Sequence, residues 1–185
     1  MPVSDRRQVL RTRTAPIHRQ LDEFVGDFSD LSDYSRYLRG MLAFRRDVEA
    51  DLAVTPMARH LGDYQPSLIV EELQHDLAAT GGATSVPPTP QAEEPRRPLS
   101  RDAMLGMLYV LEGSALGARI LVKRAERLGL GETTGAAHLK KQSASLGNWN
   151  AFCAFLDLAD NVDEEAMVEA AVVTFNRALH AFEKA

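Results

Sequence analysis

The sequence predicts an all-α protein, a bundle of six or more helices packed on one another. Two observations carry this. Sustained period-two alternation is missing, and no Asn-Gly or Asp-Gly hairpin turn occurs anywhere. Apolar residues instead recur at three- and four-residue spacing along most of the chain, the signature of amphipathic helices. Helices without a sheet must bury their stripes against one another, which gives a bundle.

The elements follow in order. A first helix runs from about Asp5, capped by Ser4, to Val25, with Leu10, Thr14, Ile17, Leu21 and Phe24 on one stripe. Pro16 lies inside it and should kink it or mark a restart near Thr14. A second helix starts at Ser32 or Asp33, carries Tyr37, Met41, Phe44, Val48 and Leu52, and stops at Thr55-Pro56. A third covers about Pro66 to Ala79, with proline in its first turn, and closes at Gly81-Gly82. Residues 81–98 hold that glycine pair and Pro87, Pro88, Pro90, Pro95 and Pro98, the composition of a surface loop. Ser100 caps a long fourth helix that ends near Gly129-Leu-Gly131. A fifth spans about Ala136 to Leu158, with Gly147-Asn148 as the place where it can break. The last begins after Asp163, has Glu164 and Glu165 in its positive first turn, and reaches Lys184. No internal repeat is visible, and 185 residues are most simply one domain, 1–185.

Composition narrows the function classes. A net charge of −5 argues against non-specific nucleic-acid binding, which needs a basic surface. The single cysteine, Cys153, excludes an internal disulfide framework and, in the run Phe152-Cys-Ala-Phe155, reads as a small buried hydrophobe. No secretory signal pattern opens the chain and no uninterrupted apolar run of about 18 residues crosses it, so a cytoplasmic protein with no membrane partner is expected. Acyl and phosphoryl transfer find no support: there is no GxSxG elbow and no glycine-rich phosphate loop after a strand. None of His18, His60, His75, His138 and His180 forms an i, i+4 pair, and no HExxH occurs, so a zinc hydrolase is unsupported too.

Two stretches remain. The apolar segment Tyr109-Val-Leu-Glu-Gly-Ser-Ala-Leu-Gly-Ala-Arg-Ile-Leu121 carries Gly113 and Gly117 in a helix interior, where each costs roughly 1 kcal/mol against alanine. Four residues apart, they share one face and leave a strip of bare backbone. Either another helix packs there, or a flat ligand such as a porphyrin does. In the first helix His18 lies beside the apolar stripe, with Thr14 one turn before and Asp22 one turn after. A carboxylate at i+4 can fix the tautomer of a metal-binding imidazole, or simply pair with a surface histidine.

Taken together, these stretches resemble a family. Leu10-Arg-Thr-Arg-Thr-Ala-Pro-Ile-His18-Arg-Gln-Leu-Asp22 resembles the proximal-helix motif of haem oxygenases, roughly L-R-x-x-T-x-x-x-H-x-x-x-D/E. Tyr109 through Gly117 resembles the distal helix of the bacterial members, especially those associated with bacteriophytochromes. The likeness extends to Tyr34 through Leu52, Trp149-Asn-Ala-Phe152 and Thr174-Phe175, in the same order and over most of the chain.

The resemblance implies a haem-oxygenase-like multi-helix bundle that uses O2 and external electrons to open haem to biliverdin, carbon monoxide and ferrous iron. It places the axial iron ligand at His18 and its supporting carboxylate at Asp22. Gly113, Ser114 and Gly117 fall on the catalytic distal face, and Arg11, Thr14 and Tyr109 in the haem-binding set. Haem carboxylates need cations; Arg11 matches a basic position of the family, and Arg177 is a second candidate because no basic residue lies in Trp149–Phe155. Many members carry aspartate where this chain has Ser114, while the phytochrome-associated branch has Glu-Gly-Ser as here. Without a flavin or nicotinamide fingerprint, electrons are expected from a ferredoxin or flavoprotein reductase, and a phytochrome is a further candidate partner. The alternative is a non-catalytic relative that carries or senses haem or biliverdin. A third is an all-α enzyme of thiaminase-like fold with another ligand.

Overall fold

The computed structural model describes residues 5–62, 64–81 and 95–185, and among them eight helices and no strand. They are α1 Asp5–Val25, α2 Leu31–Val54, α3 Met57–Leu61, α4 Val70–Ala79, α5 Arg101–Arg127, α6 Ala137–Ala144, α7 Leu146–Leu158 and α8 Glu164–Glu183. The expected Ser4 cap and residues 82–94 of the expected loop lie outside the described residues.

Three caps sit where polar side chains can meet orphan N–H groups. Asp30 accepts from the Ser32 and Asp33 amides at the start of α2, Ser100 from Ala103 at α5, and Asp163 from Ala166 at α8. Pro16 does not break α1. Proline removes only the bond to the carbonyl four residues back, and both Pro16 and Thr12 face solvent, where water can take that carbonyl.

Elsewhere tertiary contacts override the local signals. Residues 64–69 stay outside any helix instead of opening α4 at Pro66. Their amides are claimed by carboxylates on neighbouring helices: Ser67 donates to Glu112 at 2.8 Å and Ile69 to Glu49 at 3.0 Å. The Arg45 guanidinium also donates to the Ser67 carbonyl. The expected fifth helix is two, and the break falls at Ser145, whose amide and hydroxyl both turn back onto the Gln142 carbonyl.

Helix α5 is the axis of the bundle. Its N-terminal half crosses α8 so closely that a Cβ on Gly106 would lie 2.1 Å from the Met167 carbonyl oxygen. By length and composition α5 could span a bilayer, but over half of its most apolar window is buried inside the bundle. Two apolar cores flank it. One joins Leu10 of α1 to Phe44 and Val48 of α2, Met104–Leu111 of α5, and Phe152, Val168 and Phe175. The other joins Tyr34, Tyr37 and Leu38 of α2 to Leu73, Leu77, Val122, Leu139 and Phe182.

Candidate functional site

Helices α1 and α5 both stand on α8 but scarcely approach each other along their backbones. They are tied at two places. Near one end the Tyr109 hydroxyl lies beside Thr14 and Arg11. Near the other, Arg124 of α5 donates to the Gly26 carbonyl and pairs with Asp27 at 2.9 Å, just beyond the end of α1. The ties span about 18 Å of α1 and about 22 Å of α5 at 1.5 Å per residue. Between these ties lie His18, Leu21 and Phe24 of α1 and Gly113, Leu116, Gly117 and Ile120 of α5, and both helices pack on α8. We call the space these stretches bound the trough.

The walls of this trough are apolar yet unfilled. Along the α1 stripe, exposure rises from 0% at Leu10 and 3% at Thr14 to 47% at Phe24, while Leu116 and Ile120 of α5 are 49% and 59% exposed. The N-terminal half of α1 is pinned down by Arg6 on the Leu156 and Ala159 carbonyls and by Arg7–Asp157 and Arg13–Glu165 pairs. Among the described residues, the half that carries His18 has no such tie until Arg124 meets Gly26 and Asp27 just past its end.

His18 sits at the start of the trough. Its Nδ1 stands 2.9 Å from Asp22 Oδ2, and its ring meets Phe175 edge-on at a centroid distance of 5.4 Å. A neutral imidazole with its proton on Nδ1, toward Asp22, would leave Nε2 with a lone pair. That is the form in which an imidazole binds a metal. Among the described residues no three His, Cys, Asp or Glu side chains converge to cage a bare ion. A single imidazole suits a metal whose other ligands come from a macrocycle.

The two glycines differ from those at helix crossings. A Cβ on Gly106 or Gly40 would collide with a packed neighbour, whereas one on Gly117 would meet nothing within 4 Å. One on Gly113 would make ordinary contact, 3.5 Å from the Trp149 ring. Among the described residues nothing fills the strip at Gly117, while Trp149 of α7 covers Gly113. Trp149 and Tyr109, 5.7 Å apart, close its near end, with Phe152 behind them. Burial pushes the Tyr109 hydroxyl pKa up, and Thr14 and Arg11 oppose that shift.

Ser114 points away from the bare strip. Its hydroxyl donates to the Leu111 carbonyl at 2.5 Å and accepts from Gln142 Nε2 at 2.9 Å. Arg11 is exposed beside Tyr109 and makes no ion pair among the described residues. Arg177, the second cation offered by the sequence, is not brought to His18. It is held by Asp47 and Asp51 of α2, with both nitrogen–oxygen distances to the carboxylates at 2.7 Å. It borders an open cavity of about 330 Å³ with Leu99 and Val173. His60, His75 and His180 are partly or fully exposed.

His138 is different. It is fully buried, with Nδ1 at 2.6 Å from Asp76 and Nε2 at 3.2 Å from the Tyr37 hydroxyl. Asp76 also accepts from the Ala137 and His138 amides, both at 2.9 Å, and so caps α6 from α4. Neither this relay nor Gln142 has a sequence signature, because each joins residues at least 28 positions apart.

The site is thus one exposed histidine beside partly exposed apolar side chains and an open glycine on an all-helical bundle. Comparison with known proteins gives the family. The chain is 31% identical over 180 residues to heme oxygenase PigA of Pseudomonas aeruginosa, covering 93% of this chain and 88% of that protein. Its fold superposes on the crystal structure of the NO- and CO-bound heme oxygenase of Neisseria meningitidis with a TM-score of 0.75. That match has 22% identity and covers 96% and 89% of the two chains. No protein-family model matches the chain. The chain belongs to the haem oxygenase family.

Proposed function

We propose that this chain opens haem to biliverdin, carbon monoxide and ferrous iron, with haem lying in the trough between α1 and α5. The observations that support the reading are His18 with Nδ1 turned to Asp22 and the bare, unfilled backbone at Gly117. Haem supplies the iron that binds O2 and the meso carbon that is attacked, and an external ferredoxin or flavoprotein reductase supplies electrons.

The protein's part is positioning. His18 would hold the iron through Nε2, and Asp22, 2.9 Å from Nδ1, would orient the ring. Gly113 and Gly117 let the α5 backbone approach the opposite face, where a side chain would hold the ring away. Phe24, Leu116 and Ile120 cover the macrocycle with apolar surface and exclude water from it. Arg11 stands at the end of the trough beside Tyr109 and Thr14, placed to pair with a propionate. With no histidine on α5, the face carrying the glycines offers backbone carbonyls and ordered water, not a side-chain acid, to guide protons. We read the protein as cytoplasmic, with a phytochrome as one destination for its product.

Absorbance titration with haem, followed by ascorbate in air and then by a ferredoxin system, tests this. A Soret band saturating at one haem per chain, then decaying as a biliverdin band rises, is the expected result. A saturable band that never yields biliverdin would identify a haem carrier or sensor instead, and no saturable band would overturn haem binding altogether.

A further inference from the structure

We propose that Gln142 is a positioning residue for haem cleavage, acting through Ser114 to set the course of α5 behind Gly113 and Gly117. The proposal rests on the haem-oxygenase reading. A helix face made of glycine has no side chains with which to hold its own distance from a ligand, so that distance must be set by contacts elsewhere on the helix. Here one such contact is at Ser114, one residue after Gly113 and three before Gly117, on the flank of the glycine strip. Its hydroxyl donates to the Leu111 carbonyl in the preceding turn, a back-bond that bends helices. The same oxygen accepts from Gln142 Nε2, so the hydroxyl proton has one direction left and cannot turn away from Leu111.

The donor is itself immobilised. Gln142 is 3% exposed in α6, and both ends of that short helix are clamped. Asp76 takes the Ala137 and His138 amides and the His138 ring at one end. At the other, the Ser145 amide and hydroxyl both reach the Gln142 carbonyl, at 3.0 and 2.7 Å. The chain of bonds from Asp76 through α6 to Gln142, Ser114 and Leu111 fixes α5 against α4, outside the trough. Ser114 therefore works on the backbone, and its hydroxyl is not aimed at substrate.

The test compares Gln142→Leu, Ser114→Ala, the double variant and Gln142→Glu. The readouts are haem affinity and the infrared stretch of carbon monoxide on the ferrous haem complex, which senses the distal backbone and does not respond to stability alone. Each single change is expected to weaken haem binding roughly three- to tenfold and to shift the carbon monoxide stretch. The double variant should do no more than either single, because the two residues form one connection. The carboxylate introduced by Gln142→Glu accepts but cannot donate, so it should draw the Ser114 hydroxyl off Leu111. That variant should behave like Gln142→Leu at pH 8 and recover as acid protonates it, which keeps the proposal testable if Gln142→Leu fails to fold. Unchanged affinity and stretch in the single variants, or effects that multiply in the double, would overturn the role of Gln142 and leave haem binding intact. Wild-type protein with no saturable Soret band would overturn the haem reading, and this proposal with it.

Discussion

Asp22 Oδ2 stands 2.9 Å from His18 Nδ1, one helical turn further along α1, and both side chains are more than half exposed to solvent. Neither residue belongs to the two buried cores, and the His18 ring only touches one of them, edge-on at Phe175.

His18→Ala is therefore expected to leave unfolding within about 0.5 kcal/mol of wild type, as exposed positions do. It should abolish the ligand spectrum of bound haem. Asp22→Asn should keep ligation but weaken haem affinity about tenfold or more, as loss of a supporting carboxylate does. Parallel thermal melts and haem titrations check both, and a His18→Ala protein with an unaltered Soret band would remove His18 from the site.

Gly117→Ala separates stability from function. A methyl there meets nothing within 4 Å, so helix propensity should raise stability by about 1 kcal/mol. That corresponds to a melting temperature higher by about 2–4 °C in a chain of this size. The same methyl should obstruct a planar ligand, lowering haem affinity and biliverdin yield. A variant that is more stable and equally active would show that nothing approaches this backbone.

Gly106→Ala should do the reverse. Its Cβ would overlap the Met167 carbonyl oxygen at 2.1 Å, and backbone cannot rotate out of the way. Destabilisation of about 3 kcal/mol is expected, the upper range for overpacked cores, readable as a lower denaturant midpoint. Haem affinity of the fraction that remains folded should be unchanged.

The buried His138 gives a pH dependence. Burial lowers its pKa below the ordinary 6.5, with Asp76 partly opposing. The unfolded chain therefore takes up a proton near pH 6.5 that the folded chain does not. Stability should be fully present above that value and fall as pH drops below it, since the unfolded state binds more protons there. Denaturant melts from pH 8 to 5 should show this slope, and His138→Gln should flatten it at the cost of a lower plateau.

The helices and their caps were legible in the sequence because they rest on local chemistry: spacing of apolar residues, and Ser100 and Asp163 within reach of their own amides. The His18–Asp22 pair and the Gly113–Gly117 strip were legible for the same reason, one helical turn being enough to place them. Tertiary structure alone decided the rest. It kept residues 64–69 out of the helix by offering the Ser67 and Ile69 amides Glu112 and Glu49, and it split α6 from α7 at Ser145. It engaged Arg177 with Asp47 and Asp51, and it joined Asp76 to His138 and Gln142 to Ser114. The sequence also left open whether the glycine strip receives a helix or a ligand. In the fold the close helix crossing falls at Gly106, Trp149 lies against Gly113, and Gly117 stays open. Local spacing sets which groups lie on one face of a helix, but which face meets another helix depends on the packing of the whole bundle.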